Sequence, residues 1–217
     1  MATRVDLETE KRLAAEAAAG LVEDGMAVGL GTGSTVAYLL PVLAERQLDI
    51  RCVATSVRTE EVARDLGLAV EPFEGLERLD IAIDGADQIA PDGWLVKGGG
   101  GAHTREKIVA AAADRFVVIA SSDKVVDALH APVPLELLTY GLRATLRALA
   151  PAEVRGFPPS PDGGVIADYL GPIGDPAELA ARLASTPGVV DHGLFAPALV
   201  AEILVARGGS LERRVLR

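Results

Sequence analysis

The sequence predicts an α/β fold, a mostly parallel sheet with helices on both faces, into which a smaller α+β domain is inserted. Three observations predict it. Short apolar runs alternate with helix-patterned segments as far as residue 121, glycine-rich turns separate them, and near residue 130 the rhythm changes to an order of four strands and two helices. Strands apolar on both faces, with helices between them, belong to a parallel sheet covered on both sides.

The elements follow in order. Residues 7–23 place Leu13, Ala17 and Leu21 on one helical face, with Asp6 as the expected N-cap and Asp24-Gly25 as the stop. MAVGL reads as a buried strand, GTGST as a turn, and the apolar spacing that follows as a helix. IRCVATS is a strand, VRTEEVARDLG a helix closed by glycine, LDIAID and WLVKG are strands, TREKIVAAAADR is a helix capped by Thr104, and RFVVIASS is a strand. Beyond residue 130 come HAPVPLEL, a helix over 139–149, EVRGF, GVIADYL, the helix DPAELAARLAST and VVDHGLF. That order is the split β-α-β-β-α-β pattern of a ferredoxin-like domain. LVAEILVA is expected to return to the first sheet. The expected domains are therefore 1–129 with 200–217, and 130–199.

Composition narrows the function classes. The 217 residues carry 21 Lys+Arg and 31 Asp+Glu, a formal charge of −10, and are 49% hydrophobic, which argues against disorder. An acidic chain without a Lys/Arg block lacks the footprint of a nucleic-acid binder. No apolar stretch of membrane-spanning length and no secretory signal is read. One cysteine, Cys52, allows no internal disulfide and suits a reducing, cytoplasmic setting.

Three stretches carry chemistry, all at strand C-termini, where ligands of open α/β sheets bind. In GLGTGST, glycines admit a ligand close to the backbone, and Thr32, Gly33, Ser34 and Thr35 lead into a helix N-terminus that can bind phosphate. It has no P-loop lysine, and Ser34 stands where the dinucleotide fingerprint needs glycine. The alternative is a turn that serves only tight packing. In IDGADQI, Asp84 and Asp87, with Gly85 and Ala86 between them, can hold sugar hydroxyls, carry protons or, lacking a nearby third ligand, less readily bind a metal. The plainer reading is an Asp-Gly turn. In KGGGGAHTREKI, Gly98, Gly99 and Gly100 form a nest of N–H groups beside Lys97, and Glu106 falls in the first helical turn. An ionised carboxylate beside such a nest can act as a base, or can simply complement the helix dipole. Lys124, after RFVVIASSD, can hold a phosphate or be solvated. His103, His130 and His192 have no metal-ligand spacing, and Trp94 reads as packing.

Together these stretches resemble the A-type ribose 5-phosphate isomerases. The likeness extends through TSVRTEEVARDLG, FVVIASSDK, GVIADYL and PGVVDHGLFA, nearly the whole chain in order. It implies a Rossmann-like main domain with a smaller α+β domain, commonly in a homodimer or higher homo-oligomer. The implied activity interconverts ribose 5-phosphate and ribulose 5-phosphate through an enediolate, without metal or organic cofactor. Residue by residue, Glu106 matches the family's catalytic base, and Asp84 and Lys97 match groups that assist ring opening and charge stabilisation. Thr32 through Thr35, Asp84 through Asp87, Lys97 through Gly100, and Lys124 match substrate-binding segments. The chain departs at Gln88, where the family often has glutamate, and at His103, where an apolar residue is common. The partner implied is a small sugar phosphate, with no nucleic acid and no membrane. Two other classes compete. A non-catalytic sugar-phosphate sensor would ordinarily add a DNA-reading helix, and a nicotinamide oxidoreductase would need the missing glycine spacing.

Overall fold

The computed structural model describes residues 4–217, and side chains from Asp6 onward. The contacts divide the chain into two compact units, Met1–Ala86 with Arg105–Val125 and Ala198–Arg217, and Asp87–Thr104 with Val126–Pro197.

The first unit opens with α1 (Arg4–Ala19), then β1 (Ala27–Leu30), α2 (Val36–Glu45), β2 (Arg51–Ala54), α3 (Val57–Asp65), β3 (Ala69–Val70) and β4 (Leu79–Asp84). Because α1 starts at Arg4, Asp6 lies inside its first turn and is not the N-cap. The helix also ends earlier than the pattern suggests. Its fully buried side chains are Ala14, Ala15, Ala18 and Ala19, while Leu13, Ala17 and Leu21 are partly covered at the margin. Alanines let the helix axis come close to the sheet, so the leucines fall to the sides of the contact.

In the second unit the chain forms β5 (Gln88–Ile89) and β6 (Leu95–Val96) before α4 (His103–Ala112) leads back to the first. The expected strand WLVKG is thus only two residues long and is not part of the parallel sheet. It lies antiparallel between β5 and β12 (Leu194–Phe195). This pairing groups residues 87–104 with the second unit, whereas the sequence expectation keeps them in the first. The return strand β7 (Ala113–Ser121) is buried along most of its length.

The remainder of the second unit is β8 (Val133–Leu137), α5 (Leu142–Leu149), β9 (Ala152–Val154), β10 (Val165–Tyr169), α6 (Pro176–Ala184) and β11 (Val189–His192). Strand order β11-β8-β10-β9 with antiparallel neighbours is the arrangement expected for a split β-α-β-β-α-β unit. Leu135, Leu137, Leu149, Ala167, Leu179 and Leu183 form its core. VVDHGLF does not continue as one strand. It breaks at Gly193, whose N–H donates to the Pro134 carbonyl at 2.7 Å and whose carbonyl accepts from Lys97 N–H at 2.8 Å. A Cβ there would come within 2.2 Å of the Lys97 carbonyl oxygen, so glycine is required.

The chain then re-enters the first unit as β13 (Glu202–Arg207), parallel to β7, and turns back as β14 (Ser210–Val215). The large sheet runs β14-β13-β7-β4-β1-β2-β3, parallel except for β14. LVAEILVA therefore rejoins the first sheet as expected. The sequence pattern does not predict the hairpin strand SLERRV, because an exposed edge strand needs no apolar alternation. Glu202, buried, takes Arg115 on one carboxylate oxygen and Arg213 on the other, tying β7, β13 and β14 together. Cys52 is a buried free thiol; burial first, and the charge of Glu71 second, push it up to about 12.

Candidate active site

In the first unit, β7, β4 and β1 lie side by side and end on the same edge of the sheet. The chain leaves β1 for β2 on one side while β4 pairs on the other, so the GTGST loop sits at a topological switch point, where such sheets bind ligands. The loop is built around Asp84, the last residue of β4. Its Oδ1 accepts the N–H of Thr32 at 3.0 Å and that of Gly85 at 2.7 Å. Asp84 is buried, and a Cβ on Gly31 would stand 2.1 Å from its carboxyl group. The glycine there is what lets the carboxylate reach the loop backbone. Gly33 has φ 125°, a conformation that disfavours any side chain.

Hydroxyls brace the same loop from beneath. Thr32 Oγ1 lies 2.8 Å from Thr55 Oγ1, Thr59 Oγ1 donates to the Gly31 carbonyl at 3.0 Å, and Ser56 Oγ donates to Thr59 Oγ1 at 3.0 Å. Ser34 is exposed, and Thr35 is buried at the start of α2, where its side chain makes no cap hydrogen bond. Thr55 and Thr59 lie outside the site that the sequence predicts, although the hydroxyl spacing in TSVRT is the signal that marks them.

Glu106 occupies the first turn of α4 and is buried. α4 begins at His103, so Thr104 lies within its first turn and is not the N-cap. Lys124 ends a 3-10 turn, Ser122–Lys124, directly after β7. Its ammonium group lies 3.3 Å from Asp123. The turn is anchored by buried Glu10, which accepts from Ser122 N–H and Gly208 N–H, each at 2.8 Å. Burial opposes ionisation of Glu10, but the two amides and the charge of Arg207 outweigh it, so its carboxyl sits below the ordinary value. Lys11, one residue on, pairs with Glu8 at 2.7 Å.

In the second unit, Lys97 is buried, with its ammonium group 5.4 Å from the centre of the Phe195 ring. Asp87 is exposed and accepts the Gly99 N–H at 2.7 Å, so one of its oxygens supports the glycine loop. Gly98 has φ 99°, and a Cβ on it would meet the His103 ring at 2.6 Å. His103 thus fills the space beneath the loop. Gln88 has an equally local role, with its amide spanning the backbone of His130: Nε2 donates to the carbonyl at 2.8 Å and Oε1 accepts the N–H at 2.9 Å. Among the described residues no group of three or more His, Cys, Asp or Glu could hold a metal ion. No helix of the described residues is long and apolar enough to cross a membrane.

The first unit gathers backbone donors, hydroxyls, Lys124 and the buried carboxylates Asp84 and Glu106, and the second sets buried Lys97 and the exposed carboxylate of Asp87 at its glycine-rich turn. Such a set can hold an anionic ligand, move a proton and stabilise a developing oxyanion. The family model for ribose 5-phosphate isomerase A (phosphoriboisomerase A) matches residues 51–209. The ribose-5-phosphate isomerase A of Gluconobacter oxydans is 43% identical over 224 residues, covering 95% of this chain and 96% of that protein. The solved ribose 5-phosphate isomerase A of Methanocaldococcus jannaschii superposes with a TM-score of 0.90 at 33% identity, covering 96% of this chain and 99% of the other. A D-ribose-5-phosphate isomerase solved in complex with phospho-erythronic acid superposes with a TM-score of 0.91 at 32% identity, again over 96% and 99%.

Proposed function

Because the chain belongs to the ribose 5-phosphate isomerase A family, and is thereby an aldose-ketose isomerase acting on ribose 5-phosphate, we propose that Glu106 is its catalytic base. The observation that carries the assignment is the position of Glu106: a buried carboxylate in the first turn of a helix entered directly from the Lys97–Gly101 loop. In the open-chain aldose, Glu106 takes the proton from C2. The electron pair forms the C1–C2 double bond of an enediolate while the carbonyl pair moves onto O1; the O2 hydroxyl proton passes to O1, and the same carboxylic acid returns its proton to C1 as the C2 carbonyl forms. Proton transfer from so weak an acid needs its oxyanion stabilised as it forms. Lys97 supplies positive charge, and the Gly98–Gly100 loop supplies backbone donors other than the Gly99 N–H, which Asp87 holds. Asp84, Lys97 and Asp87 with Gly85 and Ala86 form the segments that meet the sugar and assist ring opening. Thr32, Gly33, Ser34, Thr35 and Lys124 hold the phosphate, whose binding energy keeps the open-chain sugar in register.

The proposal extends to setting. The enzyme works in the cytoplasm on a free sugar phosphate in the non-oxidative pentose phosphate pathway, without metal or organic cofactor, as a homodimer or higher homo-oligomer. The test is a ribulose 5-phosphate assay in the presence of EDTA, with wild type and Glu106→Gln side by side. Wild type is expected to turn over, and the variant to lose about 10²- to 10⁴-fold in kcat while still binding the sugar phosphate. A variant keeping more than about a tenth of wild-type kcat means that the base lies elsewhere. Folded wild type that binds ribose 5-phosphate without converting it would instead be a sugar-phosphate sensor.

A further inference from the structure

The chain segment just after β9 carries a side chain that none of the proposed catalytic roles uses. Arg155 continues the pairing of β9 with β10, its N–H donating to the Ile166 carbonyl at 2.9 Å, while Asp168 pairs with Glu153 in the same ladder. The two side chains are therefore diagonal neighbours on one face of the small sheet. Arg155 Nε and Nη2 bind the two Asp168 oxygens at 2.6 and 2.5 Å, with only 14% and 17% of the two side chains exposed. The remaining arm of the guanidinium, Nη1, reaches the glycine loop and donates to the carbonyls of Gly98 at 3.0 Å and Gly99 at 3.1 Å. Phe157 packs on the guanidinium, 5.4 Å from ring centre to Cζ.

Those two carbonyl contacts set the direction of two N–H groups, because a trans peptide is planar and its C=O and N–H point opposite ways. The Gly98–Gly99 peptide is held at both ends, its oxygen by Arg155 and its N–H by Asp87. The Gly99–Gly100 peptide is held at one end only. Its oxygen is on Arg155, and the Gly100 N–H has no partner among the described residues; Gly100 is exposed, with nothing within 4 Å of where a Cβ would be. A peptide between two glycines flips at little steric cost unless its oxygen is held.

We infer that Arg155 is a positioning residue for the isomerisation: by capturing the Gly98 and Gly99 carbonyls it turns the Gly100 N–H outward as a preorganised donor to the substrate oxygen that gains charge during proton transfer. This rests on the assignment of Lys97–Gly100 to the reacting end of the sugar. The fork is specific to arginine. Its planar donors satisfy a bidentate carboxylate and two carbonyls at once, whereas a single ammonium group cannot span all of these positions.

The experiment uses the full chain as wild type, Arg155→Lys, and the double variant Arg155→Met with Asp168→Leu, which removes both partly buried charges together. Each is measured for thermal melting, for kcat and KM with ribose 5-phosphate, and for inhibition by 4-phosphoerythronate and by inorganic phosphate. 4-Phosphoerythronate places a carboxylate at the reacting end of the chain; inorganic phosphate probes only the other end. Expected is a fall in kcat of about 10- to 100-fold in both variants, with KM within about threefold of wild type. Inhibition by 4-phosphoerythronate weakens by a factor similar to the kcat loss, and inhibition by inorganic phosphate stays unchanged. A purely structural role would weaken both inhibitors together, and that outcome overturns the inference. So does wild-type kcat in a double variant with native melting. Folded wild type that fails to isomerise ribose 5-phosphate would sink the underlying site assignment, a result separable from active wild type with unaffected variants.

Discussion

The two glycine loops of the molecule are secured by different chemistry. The loop after β1 is held by neutral hydroxyls from Thr32, Thr55 and Thr59 and by one carboxylate, Asp84, that accepts two backbone amides. The loop after β6 is held by full charges on both sides, Asp87 on an N–H and Arg155 on two carbonyls. A hydroxyl brace degrades gently, since each bond contributes about 1 kcal/mol net and water can take over part of it. A partly buried guanidinium brace is less forgiving, because losing either partner leaves an unpaired charge. The difference teaches that glycine loops that look alike in sequence can have opposite sensitivities to mutation.

The largest effect that would sharpen this contrast is expected from Gly31→Ala. The new methyl would meet the Asp84 carboxyl at 2.1 Å, so Asp84 or the loop must move. Displacement of about 1 Å in a catalytic site costs about 10²-fold, and a comparable fall in kcat/KM is expected by steady-state kinetics. A change under about threefold would mean that the carboxylate can yield freely, and that the first loop is softer than its packing indicates. Asp87→Ala comes next. It removes the acceptor of the Gly99 N–H, and the site is exposed, so KM is expected to rise several-fold with melting nearly unchanged. A wild-type KM would show that Arg155 suffices to hold the second loop.

Thr59→Val tests the gentle side of the comparison. It deletes the donor to the Gly31 carbonyl while keeping the shape, and about 1 kcal/mol of stability should be lost in denaturant unfolding, with kcat within about twofold. A kcat loss matching that of Gly31→Ala would erase the distinction between the loops. The smallest effect concerns Glu10, a carboxylate brace whose hydrogen bonds go to two amides. Its folded-state carboxyl is depressed, so its stabilisation is fully present above the ordinary carboxylate value and fades as pH falls through the folded value. Glu10→Gln should therefore flatten the acid side of the melting-temperature profile and leave its neutral-to-alkaline shape alone. An unchanged acid slope would mean that the Ser122 turn, with Lys124, does not depend on that charge.

Much of the fold is legible in the sequence because its period is local. The strand-turn-helix rhythm places β1, β2, β4 and β7, and the β-α-β-β-α-β order of the smaller unit emerges from its strands and helices alone. β5, β6 and β12 are not legible, since two-residue strands carry no period and exist only through their pairing. β14 is not legible for another reason. Its residues SLERRV look like a solvated tail, and the hairpin signal was Gly208-Gly209, both with positive φ. The site divides in the same way. GTGST, DGAD and KGGGG stand out because glycines and acids cluster within a few residues. Arg155 does not, being an ordinary arginine before a proline-rich turn until β9 and β10 are paired and its guanidinium is seen to reach back to Gly98 and Gly99. Gln88 and His103 have local structural roles, one spanning the His130 backbone and the other filling the space under Gly98.

The return of β13 to lie against β7 has a consequence during synthesis. As the nascent chain leaves the ribosome, β7 emerges well before β13, and until then its outer edge presents unsatisfied amides and carbonyls to its surroundings. The inserted segment must be translated in that interval. β13 and β14 therefore join the sheet only after the inserted segment has been made: ribosome stalling or truncation before Glu202 leaves an open apolar edge, a substrate for chaperones and a seed for aggregation.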